Sequence, residues 1–200
     1  RDVTRLGERY KGYEIVLHST GFDSCKGTDL VIKSLPLICK QVPNTKLLIT
    51  YTRVNRGKLK KYLRFIKSFG LQDNVEFLGF VKYESLPGYY SLAKIYVEPG
   101  IGRAMSLSNK EAMACGTPVI RGNDSDEEVI DGVTGFLVNP FSKVEFAEKV
   151  VFLLRNQELN KKMGSAARDF VLKNFSWEKV AERIGSQIQL IKRKKYDTSD

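Results

Sequence analysis

The chain has little of what would commit it to a special class. Its three cysteines, Cys25, Cys39 and Cys115, are an odd, scattered set without a Cys-x-x-Cys pair. Neither a disulfide framework nor a thiolate metal site is expected, and reduced thiols in a cytoplasmic compartment fit best. One histidine, His18, is too few for a histidine-based nucleophile system, and no carboxylate–histidine cluster of metal-ligand type stands out. Apolar runs are only a few residues long, so no membrane-spanning helix is expected, and no charged-then-apolar segment opens the chain. Acidic residues are the scarcer charge, 23 against 33 basic, which leaves +10. Such an excess favours anionic partners (phosphate-bearing ligands, nucleic acid or an anionic membrane face), and a solvated surface explains part of it. What is present, 42% apolar and 28% charged residues over 200 positions, suits one globular domain. A chain of this length buries about 70% of its unfolded surface and needs no staples. The first residue is Arg1, not Met, so a piece of a longer protein is expected.

Short apolar runs alternate with helical periodicity. Strands are predicted at 14–18, 46–50, 75–80, 95–98, 118–121 and 135–138. Between them helices are predicted at 28–42, 58–69, from Ser85 onward, at 107–114 and briefly at 127–130. Thr28 is placed to cap the first of these, and Pro36 to kink it. Beyond Ser142 the pattern is helical only, over 143–155, 158–174 and 176–194. The expected fold class is α/β, a six-stranded parallel sheet with helices on both faces and a helical C-terminal extension. The ends, 1–11 and 192–200, are polar and expected to fray or engage elsewhere. In such a sheet ligands bind beyond the carboxyl ends of the strands, in the loops 19–26, 51–57, 81–84, 99–106 and 122–126.

The most specific stretch is Glu111-Ala112-Met113-Ala114-Cys115-Gly116-Thr117-Pro118-Val119-Ile120, a helix stopped by glycine and feeding an apolar strand. Glu111 lies on a helix that begins after a strand-end loop, where a carboxylate can hold paired sugar hydroxyls; a solvated glutamate is the plainer alternative. Other landmarks are Cys25-Lys26-Gly27-Thr28-Asp29, Val75-Glu76-Phe77-Leu78-Gly79-Phe80-Val81, Glu127-Glu128-Val129-Ile130-Asp131-Gly132 and Phe175-Ser176-Trp177-Glu178. In this order they resemble the C-terminal, donor-binding domain of the GT-B retaining glycosyltransferases, the family 4 group, over residues 12–190.

The resemblance implies a Rossmann-like domain, one half of a GT-B fold, at 12–175. It would follow a lead-in at 1–11 from a preceding N-terminal domain and precede a final helix and tail at 176–200. It implies a metal-independent transferase that moves a hexosyl group from a UDP- or GDP-type sugar to an alcohol acceptor, with no separate cofactor. The alternative is a non-catalytic nucleotide-binding or regulatory module of the same fold. Lys26 would meet the diphosphate together with a helix dipole, Glu111 the ribose, Val81 the base, and Ser106, Leu107 and Ser108 the distal phosphate. Gly21 and Arg53 complete the implied donor contacts, and Lys26 and Arg103 the catalytic set.

Departures are equally informative. The family's E-x7-E motif has its second glutamate at Glu111, but its first position is Arg103. Arg103 fits a donor bearing its own anion, such as a uronate, or a turn that no longer supports transfer, or a surface side chain without a role. The arginine that usually accompanies the lysine is replaced by Thr20-Gly21-Phe22. Arg53 or Arg56 could restore that charge, or simply form a basic loop. Gly100-Ile101-Gly102-Arg103-Ala104-Met105 imitates a dinucleotide motif but lacks its third glycine. His18 reads as a packing residue, not a base. The basic clusters at 58–64 and 192–195 have few interleaved aromatics, which disfavours nucleic acid and fits a solvated face attracted to anionic lipid, peripheral to a membrane.

Overall fold

The computed structural model describes residues 2–19, 22, 24–101, 106–123 and 129–197. Six short strands form one sheet: β1 (Glu14–His18), β2 (Thr45–Thr50), β3 (Val75–Gly79), β4 (Ile95–Glu98), β5 (Val119–Gly122) and β6 (Gly135–Val138). Every pairing is parallel and the order is β3-β2-β1-β4-β5-β6. The central strands are largely apolar because both faces of the sheet are covered, whereas edge strand β3 is only partly buried.

Alternate side chains feed two cores. Val16, Leu47, Ile49, Ile95, Val97 and Ile120 point to the face packed by α2 (Thr28–Gln41), α3 (Arg56–Ser68) and α6 (Lys143–Arg155). Ile15, Leu17, Leu48, Tyr96 and Val119 point to the other face, beneath α4 (Leu86–Leu92), α5 (Leu107–Ala114) and α7 (Gln157–Phe175). A last helix, α8 (Trp177–Asp197), follows α7 and leaves Trp177, Ile184 and Ile191 exposed.

Three expectations need correction: at the lead-in, at Thr28 and at 127–130. Residues Asp2–Arg9 form helix α1, which packs on α4, and neighbouring Tyr10 is buried, so this lead-in is docked rather than frayed. Arg9 pairs with Glu76 and the Tyr10 hydroxyl donates to the same carboxylate, tying α1 to β3. Thr28 does not cap α2; Gly27 takes the capping position at φ 80° and Thr28 turns inward to His18. Helix α2 continues through Pro36 as one element. Val129 and Ile130 are not helical, while the rest of the brief helix at 127–130 lies outside the described residues.

His18 ends β1 fully buried. Its Nδ1 lies 2.8 Å from the Val97 carbonyl, which can only accept, so the proton sits on Nδ1. Nε2 then accepts from the Thr28 hydroxyl at 2.8 Å. The ring is a bolt between β1, β4 and α2, as the packing reading expects. Burial lowers its pKa from the usual 6.5, more than the Val97 carbonyl and Glu98 raise it. A depressed folded-state value means that the unfolded chain binds the proton first. This contribution is therefore complete above about pH 6.5 and declines by up to about 1.4 kcal/mol per pH unit as pH falls toward the folded value. Urea unfolding between pH 7 and 5 should show that slope, and His18→Gln should flatten it; equal slopes in both proteins would refute the assignment.

Candidate functional site

The strand order reverses direction between β1 and β4, so the loops leaving these two strands part there and open a crevice. Their backbones nevertheless touch at the base of the crevice. A Cβ on Gly27 would lie 2.7 Å from the Pro99 carbonyl carbon, and one on Gly100 only 1.8 Å from the Cys25 carbonyl oxygen. Glycine is required at both positions by proximity, and at Gly27 by its left-handed φ as well. Gly100 thus serves the contact between loops, not a dinucleotide motif.

Lys26 closes the short 3-10 turn Ser24–Lys26 after β1. Its ammonium lies 3.0 Å from Oε1 of Glu98, the last residue of β4. Arg121 of β5 donates to the same oxygen at 2.7 Å. The other carboxylate oxygen accepts from Ser106 at 2.9 Å and Tyr96 at 3.2 Å. Glu98 is 1% exposed, yet ionised. Burial by itself would raise its pKa, but Lys26, Arg121 and Ser106 outweigh that and hold it below the ordinary carboxylate value.

From Glu98 the polar chain continues outward. Tyr96 also meets the Ser19 hydroxyl at 2.9 Å, Ser19 lies 3.4 Å from the Tyr90 hydroxyl, and Tyr90 donates to Glu111 Oε2 at 2.9 Å. Burial first, and Glu111 second among the raising influences, keep the Tyr90 phenol protonated far above neutral pH. Exposed Tyr83 also feels Glu111, which raises its pKa by charge and hydrogen bonding. Lys26 and Glu111, 85 residues apart in sequence, therefore stand on one carboxyl-edge network.

Beside this network is a cavity of about 140 Å³. Its walls are Ser19 after β1, Thr50 to Thr52 at the end of β2, Phe80 and Val81 after β3, Leu86 and Tyr90 of α4, and Ser108 of α5. Sites for whole small ligands run on the order of 300–1,000 Å³, so this one encloses part of a ligand and leaves the rest in the open crevice.

Val81 and Ser108 both line the cavity wall. Ser106 is buried and turned to Glu98, and Leu107 is 75% exposed at the first position of α5. Arg53 is exposed on the loop after β2, outside the cavity wall, and Arg56 opens α3. Gly21 and Arg103 lie outside the described residues. Where the family's arginine is lost, Phe22 is buried against Tyr51, Tyr62 and Phe77, and the Lys58 ammonium holds its carbonyl at 2.8 Å. Sequence reading missed Glu98, Arg121, Tyr90 and Tyr96. The available signal was a charge inside each of two otherwise apolar strands, IYVE and VIRG.

Sheet order defines a doubly wound α/β domain with an open crevice at the switch point. The chain belongs to the glycosyl transferases group 1 family, whose model matches residues 5–170. It is 31% identical over 190 residues to a GDP-mannose-dependent alpha-(1-6)-phosphatidylinositol monomannoside mannosyltransferase of Mycobacterium tuberculosis, covering 90% of this chain and 47% of that one. Sucrose-phosphate synthase from Thermosynechococcus elongatus superposes with a TM-score of 0.83 at 28% identity, over 95% of this chain and 48% of that protein. The C-terminal domain of a group 1 glycosyl transferase from Francisella tularensis superposes with a TM-score of 0.79 at 21% identity, over 88% of this chain and 94% of that domain. The chain spans about half the length of the curated relatives it matches. It is one half of a GT-B fold, and no helix among the described residues is long and apolar enough to cross a membrane.

Proposed function

We propose that this chain is the donor-binding domain of a retaining glycosyltransferase. It takes a nucleoside diphosphate sugar of UDP or GDP type and presents its hexosyl group to an alcohol acceptor bound by an N-terminal domain. The observation that carries this reading is the shared network of Lys26 and Glu111 beside the cavity. Glu111 takes the ribose hydroxyls, exchanging the Tyr90 and Tyr83 phenols for them. The base occupies the cavity against Val81. Lys26 and the first amides of α5, at Leu107 and Ser108, take the diphosphate, where a cation and a helix N-terminus stabilise the charge developing on the leaving group. Without its acceptor domain the chain binds donor weakly and transfers little.

One observation favours the second reading, a nucleotide-binding module without catalysis: the Lys26 ammonium is already engaged by Glu98. Calorimetry with UDP, GDP and ADP and their sugars tests both. The donor reading expects binding of a nucleotide sugar, lowered about tenfold or more by Lys26→Ala, as for a lost charge-assisted contact, and weakened by Glu111→Gln. Binding of nucleotide with indifference to the sugar supports the module, and no affinity for any of them at millimolar concentration sinks both. We also propose peripheral contact with anionic lipid through α3, which carries Arg56, Lys58, Lys60, Lys61, Arg64 and Lys67 and no acidic residue. Co-sedimentation with phosphatidylglycerol vesicles that persists unchanged in high salt, or is absent in low salt, would contradict it.

A further inference from the structure

The Glu98 carboxylate is shared between two cations of very different exposure. The Lys26 side chain is 30% exposed, whereas those of Arg121 and Glu98 are 5% and 2% exposed. Glu98 and Arg121 are also paired neighbours in the β4–β5 register, so their contact is built into the sheet. With Lys26 alone beside it, Glu98 would cancel the ammonium that the crevice presents. Arg121 brings a second positive charge to the same carboxylate, and of the two cations that share it the accessible one is Lys26.

We propose that Arg121 is a positioning residue for anion binding: it neutralises Glu98 from within the sheet, so that Lys26 stays fixed by Glu98 yet presents its full charge to the diphosphate. Arg121 never touches the ligand. The inference rests on the donor reading above and adds to it a buried determinant of diphosphate affinity. The Ser106 and Tyr96 hydroxyls complete the carboxylate's contacts, so its remaining lone pairs do not compete for the ammonium. A charge in this partly desolvated setting acts through a low effective dielectric over several ångströms.

The test is a charge series at constant shape: wild type, Arg121→Met, Glu98→Gln and the double variant. Each is titrated with GDP and UDP as charged probes and with guanosine and uridine as uncharged ones. Diphosphate affinity should follow the net charge of the cluster. It should fall about tenfold or more in Arg121→Met, rise in Glu98→Gln, and return to within a few-fold of wild type in the double variant. Nucleoside affinity should stay level throughout. A structural role would weaken both probe types in every variant, and that pattern overturns the proposal, as does unchanged GDP and UDP binding in Arg121→Met. If Arg121→Met fails to fold, Glu98→Gln and the double variant still decide, because one must bind diphosphate more tightly than wild type and the other equally. Absence of diphosphate binding by the wild-type chain is a different result: it removes the donor reading and this inference together.

Discussion

Gly100→Ala is expected to leave little or no folded protein. A Cβ there falls 1.8 Å from the Cys25 oxygen, 2.6 Å from the Cys25 carbonyl carbon and 2.6 Å from the Lys26 carbonyl carbon. These are backbone atoms of the loop between β1 and α2, so no side chain can swing aside. Relief requires the two loops at the switch point to separate, which breaks the Lys26–Glu98 contact and unseats the N-terminus of α2. A cost above about 4 kcal/mol is expected, and total stabilities of about 5–15 kcal/mol leave little after that. Gly7→Ala is the control: it lies in α1 with nothing within 4 Å of the added carbon, so it should stabilise by roughly 0.5–1 kcal/mol through helix propensity. Urea unfolding followed by circular dichroism measures both. A Gly100→Ala protein with the urea midpoint of wild type would show that the loops are not in contact.

Glu98→Ala is expected to be nearly as damaging, for an electrostatic reason. It leaves the positive charges of buried Arg121 and of Lys26 without the carboxylate they share, and it removes the acceptor of Ser106 and Tyr96. Losing one partner of a buried ion pair costs about 3–5 kcal/mol, whereas replacing the pair with apolar groups of similar volume is often neutral. Glu98→Met with Arg121→Met should therefore recover most of what Glu98→Ala loses. The acid limb carries the same signature. Because the folded-state pKa of Glu98 is depressed, its stabilisation is present above the ordinary carboxylate value near 4.5 and disappears as pH falls through the lower folded value. That window opens below about pH 4.5, whereas the one set by His18 opens below about 6.5, so acid unfolding should steepen again beneath pH 4.5, and Glu98→Gln should remove this component. A double Met variant as unstable as Glu98→Ala would argue against the buried-charge account.

The six strands were legible because a parallel strand buried on both faces is an apolar run bounded by turns, and β1, β4 and β6 begin and end where the sequence places them. The docking of α1 was not, because the amphipathic helix DVTRLGER reveals its partner only when β3 brings Glu76 to Arg9. Thr28 was misread for a related reason. A threonine before a helical run suits a cap, but His18, ten residues earlier, offers its ring nitrogen once β1 and α2 lie together. Of the site, Lys26, Val81, Ser108 and Glu111 were reachable from their positions after strands, since strand order alone says where ligands go.

The residue order by itself determined the alternation of strands and helices, the family, and which loops would ring the crevice, because periodicity and turn chemistry are local. Only the tertiary structure decided that Lys26 and Arg121 share the carboxylate of Glu98, and that a chain of hydroxyls connects them to Glu111. Apart from the Tyr96–Glu98 step, those contacts span 21 to 77 residues and exist through the β1–β4–β5 register, which no local pattern encodes.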